Sequence, residues 1–122
     1  MTTLTEPKAA EIADVVCKAG DVVYKNGHHK GYLYDEAQAD EGTPLADCRV
    51  DAVGAINTAV FGKPRWPAED HAGCRLAEAA VTALEAFVGK PVPGWNDDAD
   101  RDADDIIAAL WDTAAGLRKE AA

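Results

Sequence analysis

Aromatic side chains are scarce in this chain: two phenylalanines, three tyrosines and three tryptophans among 122 residues. A core poor in rings must be filled by many small groups, and alanine supplies much of the 48% hydrophobic content. Small side chains let helices approach closely but bury little area each. The large residues then carry the packing: Ile12, Val16, Val53, Ile56, Phe61, Leu76, Leu84, Phe87, Ile106, Leu110 and the tryptophans Trp66, Trp95 and Trp111. Cysteine is scarce too. Cys17, Cys48 and Cys74 are odd in number and form no CxxC pair, which excludes a disulfide framework and the paired spacing of a zinc site. Positive charge is the third shortage, with 12 bases against 22 acids and a formal net charge of −10. A field of that sign repels phosphate backbones and anionic membrane surfaces, so neither nucleic acid nor membrane is expected as a direct partner. The bases do not gather: Lys63 with Arg65, and Arg118 with Lys119, are the densest pairs.

Long apolar runs are missing, so no membrane-spanning segment is predicted. The opening MTTLTEPKAAEIADVV has no basic region ahead of an apolar stretch, which predicts no signal peptide and a reducing, cytoplasmic setting. G-x-S-x-G, P-loop and HExxH patterns are absent, so no catalytic residue is assigned and a non-enzymatic role leads. No cofactor is expected.

What is present is helical periodicity. Thr5-Glu6-Pro7 combines a capping hydroxyl with a first-turn proline, and Ile12, Val16, Ala19 and Val23 follow as one stripe of a first helix stopped at Asn26-Gly27. From Gly27 to Thr43 no helical stripe occurs; Gly31 to Tyr34 reads as a short extended piece that could form half of a small β-hairpin. A loop of that length inside a compact domain is usually functional or mobile. Thr43-Pro44 repeats the cap-and-proline signal ahead of Val50, Val53, Ile56 and Val60, ending at Gly62-Lys63-Pro64. Gly54 within this second helix would let another backbone come close. A third helix is expected from about Ala68 to Val88, with Gly73, Leu76, Ala80, Leu84 and Phe87 inward. The last helix opens at Asp102, with Asp105 completing a reciprocal cap, and turns Ile106, Leu110, Ala114 and Leu117 to the core. The sum is an all-α, compact bundle of four main helices forming one domain over residues 1–122, with one long loop between the first two.

Several clusters bear on chemistry. Asp98, Asp100 and Asp102 match the first ligands of a calcium loop, but Ala103 and Ala109 stand where its glycine and bidentate glutamate belong. Acids at a helix N-terminus are favoured by the macrodipole, which explains the same residues without a cation. His71, Cys74 and Glu78 share a helix face, yet a surface histidine and a small buried cysteine account for them, and no metal site is assigned. Trp95-Asn96-Asp97 has the composition of a turn whose tryptophan plugs a gap in the core. An exposed Trp95 would instead be a hot spot for a partner.

The stretches RLAEAAVTALEAFVG, WND and DRDADDIIAALWDTA, with weaker matches in AAEIADVV, GHHKGYLYD and VDAVGAI, resemble a family of small proteins of actinobacteria and their phages. The resemblance falls on Gly31, Gly54, Ala55, Trp95, Asn96 and Asp97. Its pattern departs at His28, where relatives often carry tryptophan, and at Asp51, where some carry cysteine. It implies a fold and a setting but no activity.

The sequence therefore predicts a protein-binding or regulatory module whose candidate binding residues are His28, Tyr32, Tyr34, Trp95, Asn96 and Asp97. Two alternatives stand beside it. One is a small enzyme or small-molecule binder with a pocket between the 27–43 loop and the WND turn. The other is an acidic decoy of DNA. The partner is expected to be a protein, and alanine-rich faces equally suit a homodimer.

Overall fold

A computed structural model describes residues 6–68 and 71–122. Four main helices build the domain: α1 (Ala9–Asn26), α3 (Ala52–Phe61), α4 (Gly73–Val88) and α6 (Ala103–Ala121). Two short ones join them, α2 (Glu36–Asp40) and α5 (Val92–Asp97), and a single 3-10 turn spans Leu45–Asp47. The all-α bundle expected from the periodicity is what forms. Among the described residues no helix is long and apolar enough to cross a membrane.

Helix α1 is the hub, packed against α3, α4 and, most extensively, α6. Of the expected stripe Val16, Ala19 and Val23 are buried, as the 3.6-residue spacing requires, while Ile12 is half-buried and the neighbouring Ala13 takes the inward place. The α1–α6 pair is antiparallel. Near the start of α1, Asp14 meets Arg118 at 3.3 Å, and one and two turns later the Cys17 carbonyl and Asp21 accept from Trp111 Nε1, each at 3.2 Å. Gly20 is needed at this crossing, because a Cβ there would overlap the Trp111 indole. Ile56, Leu84, Ile106 and Leu110 are wholly buried between the helices, each contributing about 2 kcal/mol through removal from water.

Several expectations are corrected. The Thr5 cap lies outside the described residues; the first helical amide network begins at Lys8, whose N–H donates to Glu11 at 3.2 Å. Thr43-Pro44 does not open the second long helix but the 3-10 turn. Helix α3 starts at Ala52 because Asp51 caps it, its Oδ1 accepting from the Gly54 amide at 2.6 Å. The third helix starts at Gly73 rather than Ala68. The Gly27–Thr43 segment is not structureless. Asp35 caps α2 by accepting from the amides of Ala37 and Gln38. Nor does Tyr34 pair within its own loop: both His28 and Tyr34 form isolated bridges to Val50. The large residues are not all core. Phe87 is 53% exposed, Trp66 40% and Trp111 39%, while Ala55, Ala77 and Ala80 are fully buried. Close helix approach selects small side chains at the seams and displaces large ones to the margins. Cys17 and Cys74 are half-buried; Cys48 alone is buried.

Candidate functional site

The six residues singled out from the sequence separate into a knot and a fringe. The WND triplet is not a turn but the last half of α5, introduced by Pro91 and by Pro93 in its first turn. That short helix is pressed against α3 and α4, which buries Trp95 to 6% exposure and Asn96 completely.

Asn96 is the centre of the knot. Its Oδ1 accepts from the Ala52 amide at the start of α3 (2.9 Å), so it is an acceptor by position. His28 Nε2 lies 2.9 Å from the same oxygen and donates to it, so that nitrogen carries a proton. The Asn96 Nδ2 group donates to the His29 carbonyl at 3.2 Å and to Asp97 Oδ1 at 2.9 Å. Asp97 in turn accepts from the Gly31 amide at 3.0 Å, and Lys30 reaches the Asp98 carbonyl at 2.7 Å. One amide side chain thus clamps the 28–31 loop, the N-terminus of α3 and α5 together. Arg101 closes the outside: its Nε donates to the Trp95 carbonyl at 2.7 Å and its guanidinium lies 4.8 Å from the indole centroid.

The loop is fastened at a second point. Asp51 N–H donates to the Leu33 carbonyl at 3.1 Å, and Gly54 leaves room for that carbonyl, with which any Cβ at position 54 would overlap. Farther along, a single oxygen of Asp35, Oδ2, accepts from both Nε (3.1 Å) and Nη2 (2.9 Å) of Arg49.

Burial sets the charges of this knot. Desolvation holds His28 below its ordinary value, outweighing the bond to Asn96. Asp51 is pushed up to about 7 by burial, with Asp97 adding in the same direction, despite the bond from the Gly54 amide. Asp97 also feels desolvation, but hydrogen bonds from Asn96 and Gly31 outweigh it and hold the carboxyl below its usual range.

Of the fringe, Tyr34 is buried against the core and Tyr32 is exposed, their ring centroids 5.3 Å apart. Asp51, Ala52 and Arg101 were not foreseen as members; the Asp before Ala-Val-Gly was legible as a helix cap, whereas the Arg101 contact left no local sign. Among the described residues no group of three His, Cys, Asp or Glu side chains converges to hold a metal. The aspartate run does cap α6: Asp102 and Asp105 exchange bonds of 3.0 Å with each other's backbone amides.

An open groove lies elsewhere. It runs between α4 and α6, floored by the start of α1, with a volume of about 1210 Å³. Ala79, Ala83 and Ala86 form one wall and Thr113, Gly116 and Leu117 the other, with Ile12 beneath and Phe87 at one end. Glu6, His71, Cys74, Arg75, Glu78 and Glu120 also line it, and Arg75 is engaged by Glu6 at 3.1 Å. The groove is apolar along its length and acidic at one end.

The model of a family of unknown function (DUF6197) matches residues 7–116, nearly the whole chain. No curated protein and no solved structure matches it.

Proposed function

The chain belongs to this family of unknown function, so its activity has to be argued from its own residues, and we propose that it is a non-enzymatic, cytoplasmic protein-binding module that docks its partner in the α4–α6 groove. The observation that carries this is the contrast in availability. Trp95 and Asn96 are spent on internal contacts, whereas the groove offers apolar wall, a half-exposed Phe87 and a concave shape. A mobile-element origin, which the resemblance to phage proteins implies, fits a small module of this kind.

The surface expected between the tyrosine loop and the WND segment is weaker support for docking, because hydrogen bonds join those two segments directly. The same contacts weigh against a small-molecule pocket there.

Affinity purification from the native host tests the reading, with Ala83→Gln placed in the groove and Tyr32→Ala on the exposed loop. A partner lost with Ala83→Gln and retained with Tyr32→Ala supports groove docking. A partner retained by Ala83→Gln overturns it, and loss with Tyr32→Ala alone moves the surface to the loop.

A further inference from the structure

We infer that the occupant of the groove is a basic amphipathic helix of another protein, an inference that rests on the groove-docking reading above. Helix is the secondary structure the site fits. Its walls are two antiparallel helices standing over the start of α1, and a third helix laid between them repeats ordinary side-by-side helix packing. Ala83 in the wall leaves space for a large apolar side chain from the incoming helix.

The charge is set by which ends meet. The Arg75–Glu6 and Arg118–Asp14 pairs bring the start of α4, the segment entering α1 and the end of α6 to one place. Glu78 and Glu120 line that end, while the charges of Glu6 and Arg75 there offset one another. Phe87 stands at the other end. Nine residues of α4 separate Glu78 from Phe87, roughly 14 Å at the α-helical rise. A fitting occupant carries lysine or arginine at one end and a large apolar residue two to three turns away. A second copy of this chain fits poorly, since each copy carries a net charge of −10 and would bring acid to acid.

The probe is a fluorescently labelled peptide of about sixteen residues built from leucine and lysine in a helical amphipathic pattern, titrated with the full-length protein. Its controls are the same pattern with glutamate for lysine, and a leucine–lysine peptide of scrambled order. The patterned basic peptide should bind, the scrambled one should not, and Glu78→Lys combined with Glu120→Lys should weaken binding about tenfold. Both positions are exposed, so the charge variant should fold as the parent does, and its circular dichroism checks this. Ala83→Gln, which leaves the charge unchanged, should also weaken binding. Failure of the basic peptide to bind, or binding indifferent to either variant, overturns the inference. If the glutamate peptide binds instead, and Ala83→Gln abolishes it, the groove stands as a docking site and only the basic occupant fails. Dimers of the protein disrupted by Ala83→Gln would name a second copy as the occupant.

Discussion

The segment around α5 and the groove between α4 and α6 divide the molecule's chemistry unequally. The first holds the residues that stand out in the sequence: tryptophan, asparagine, adjacent histidines and a dense set of acids. Trp95 and Asn96 are buried and the two histidines half-buried, bonded within the segment, while the aspartates stay exposed and accept mainly from backbone amides. The second is built mainly of alanine, glycine, threonine and a few aliphatics, and it is the part left open. Conspicuous polar residues are here the means by which a loop with little apolar surface is held to the bundle. A buried amide that meets all its partners specifies one arrangement, because every competing arrangement leaves some of them unpaired in low dielectric. The groove needs no such specification, since its walls are fixed by packing on their far sides.

If that division is right, the largest effect belongs to Asn96. Truncation to alanine strips partners from the Ala52 amide, the His29 carbonyl and His28 at once, and neither the amide nor the carbonyl regains water easily. Asn96→Ala should cost about 3–5 kcal/mol in urea unfolding, at about 1–3 kcal/mol for each buried group orphaned. The 28–34 loop should lose amide-exchange protection before the helices do. A loss under about 1 kcal/mol would mean that the knot is dispensable and that its residues are available for another role.

How much of this was legible beforehand follows from the range of the forces involved. Local signals read well: the stripe of α1, the glycine stops at Gly27, Gly62 and Gly89, and the Asp102–Asp105 box each depend on residues within one turn. The need for glycine at position 54 was readable too, although not that the neighbour would be Leu33. What failed was decided at a distance. The Thr43-Pro44 signal is a fair helix start in isolation, but the His28 and Tyr34 bridges to Val50 hold the next residues extended until Asp51 can cap. Phe87 belongs to the α4 stripe by spacing, yet it lines the open groove and stands half in solvent. The WND triplet was recognised as an anchor composition, while its bonds to residues more than sixty positions earlier were beyond any local pattern.

Asp51 provides the next test of the comparison, through pH. Its carboxyl sits at about 7 in the folded state against 3.8 in the unfolded chain. The folded protein therefore keeps a proton that the unfolded chain releases, and stability falls as pH rises from about 4 towards 7. Asp51→Asn cannot ionise, and asparagine still caps the Gly54 amide. Measured against the parent, the variant should gain about 1–2 kcal/mol between pH 5 and pH 8, a discounted fraction of the full shift at 1.36 kcal/mol per unit. His28 works in the opposite direction, with stability lost as pH falls below 6.5, but it is common to both proteins and cancels in the difference. Parallel stability curves for the two proteins would show that Asp51 is solvated, and that the knot is looser than its bonds imply.

The smallest effect should come from the groove itself, and its smallness is the point. Ala83 is half-buried in the wall of α4, and glutamine is nearly as good a helix former as alanine, so Ala83→Gln should change unfolding free energy by no more than about 0.5 kcal/mol. Asn96→Ala and Ala83→Gln then separate the two regions cleanly: one variant loses stability, and the other keeps its stability and loses the partner. A Tm for Ala83→Gln more than about 5 °C below the parent would place this wall in the structural core, because that shift corresponds to about 1 kcal/mol in a domain of this size. The groove would then be a seam that other parts of the chain need, and the surface for docking would have to be sought at Tyr32 or at the exposed Tyr24–Trp111 pair, whose ring centroids lie 6.3 Å apart.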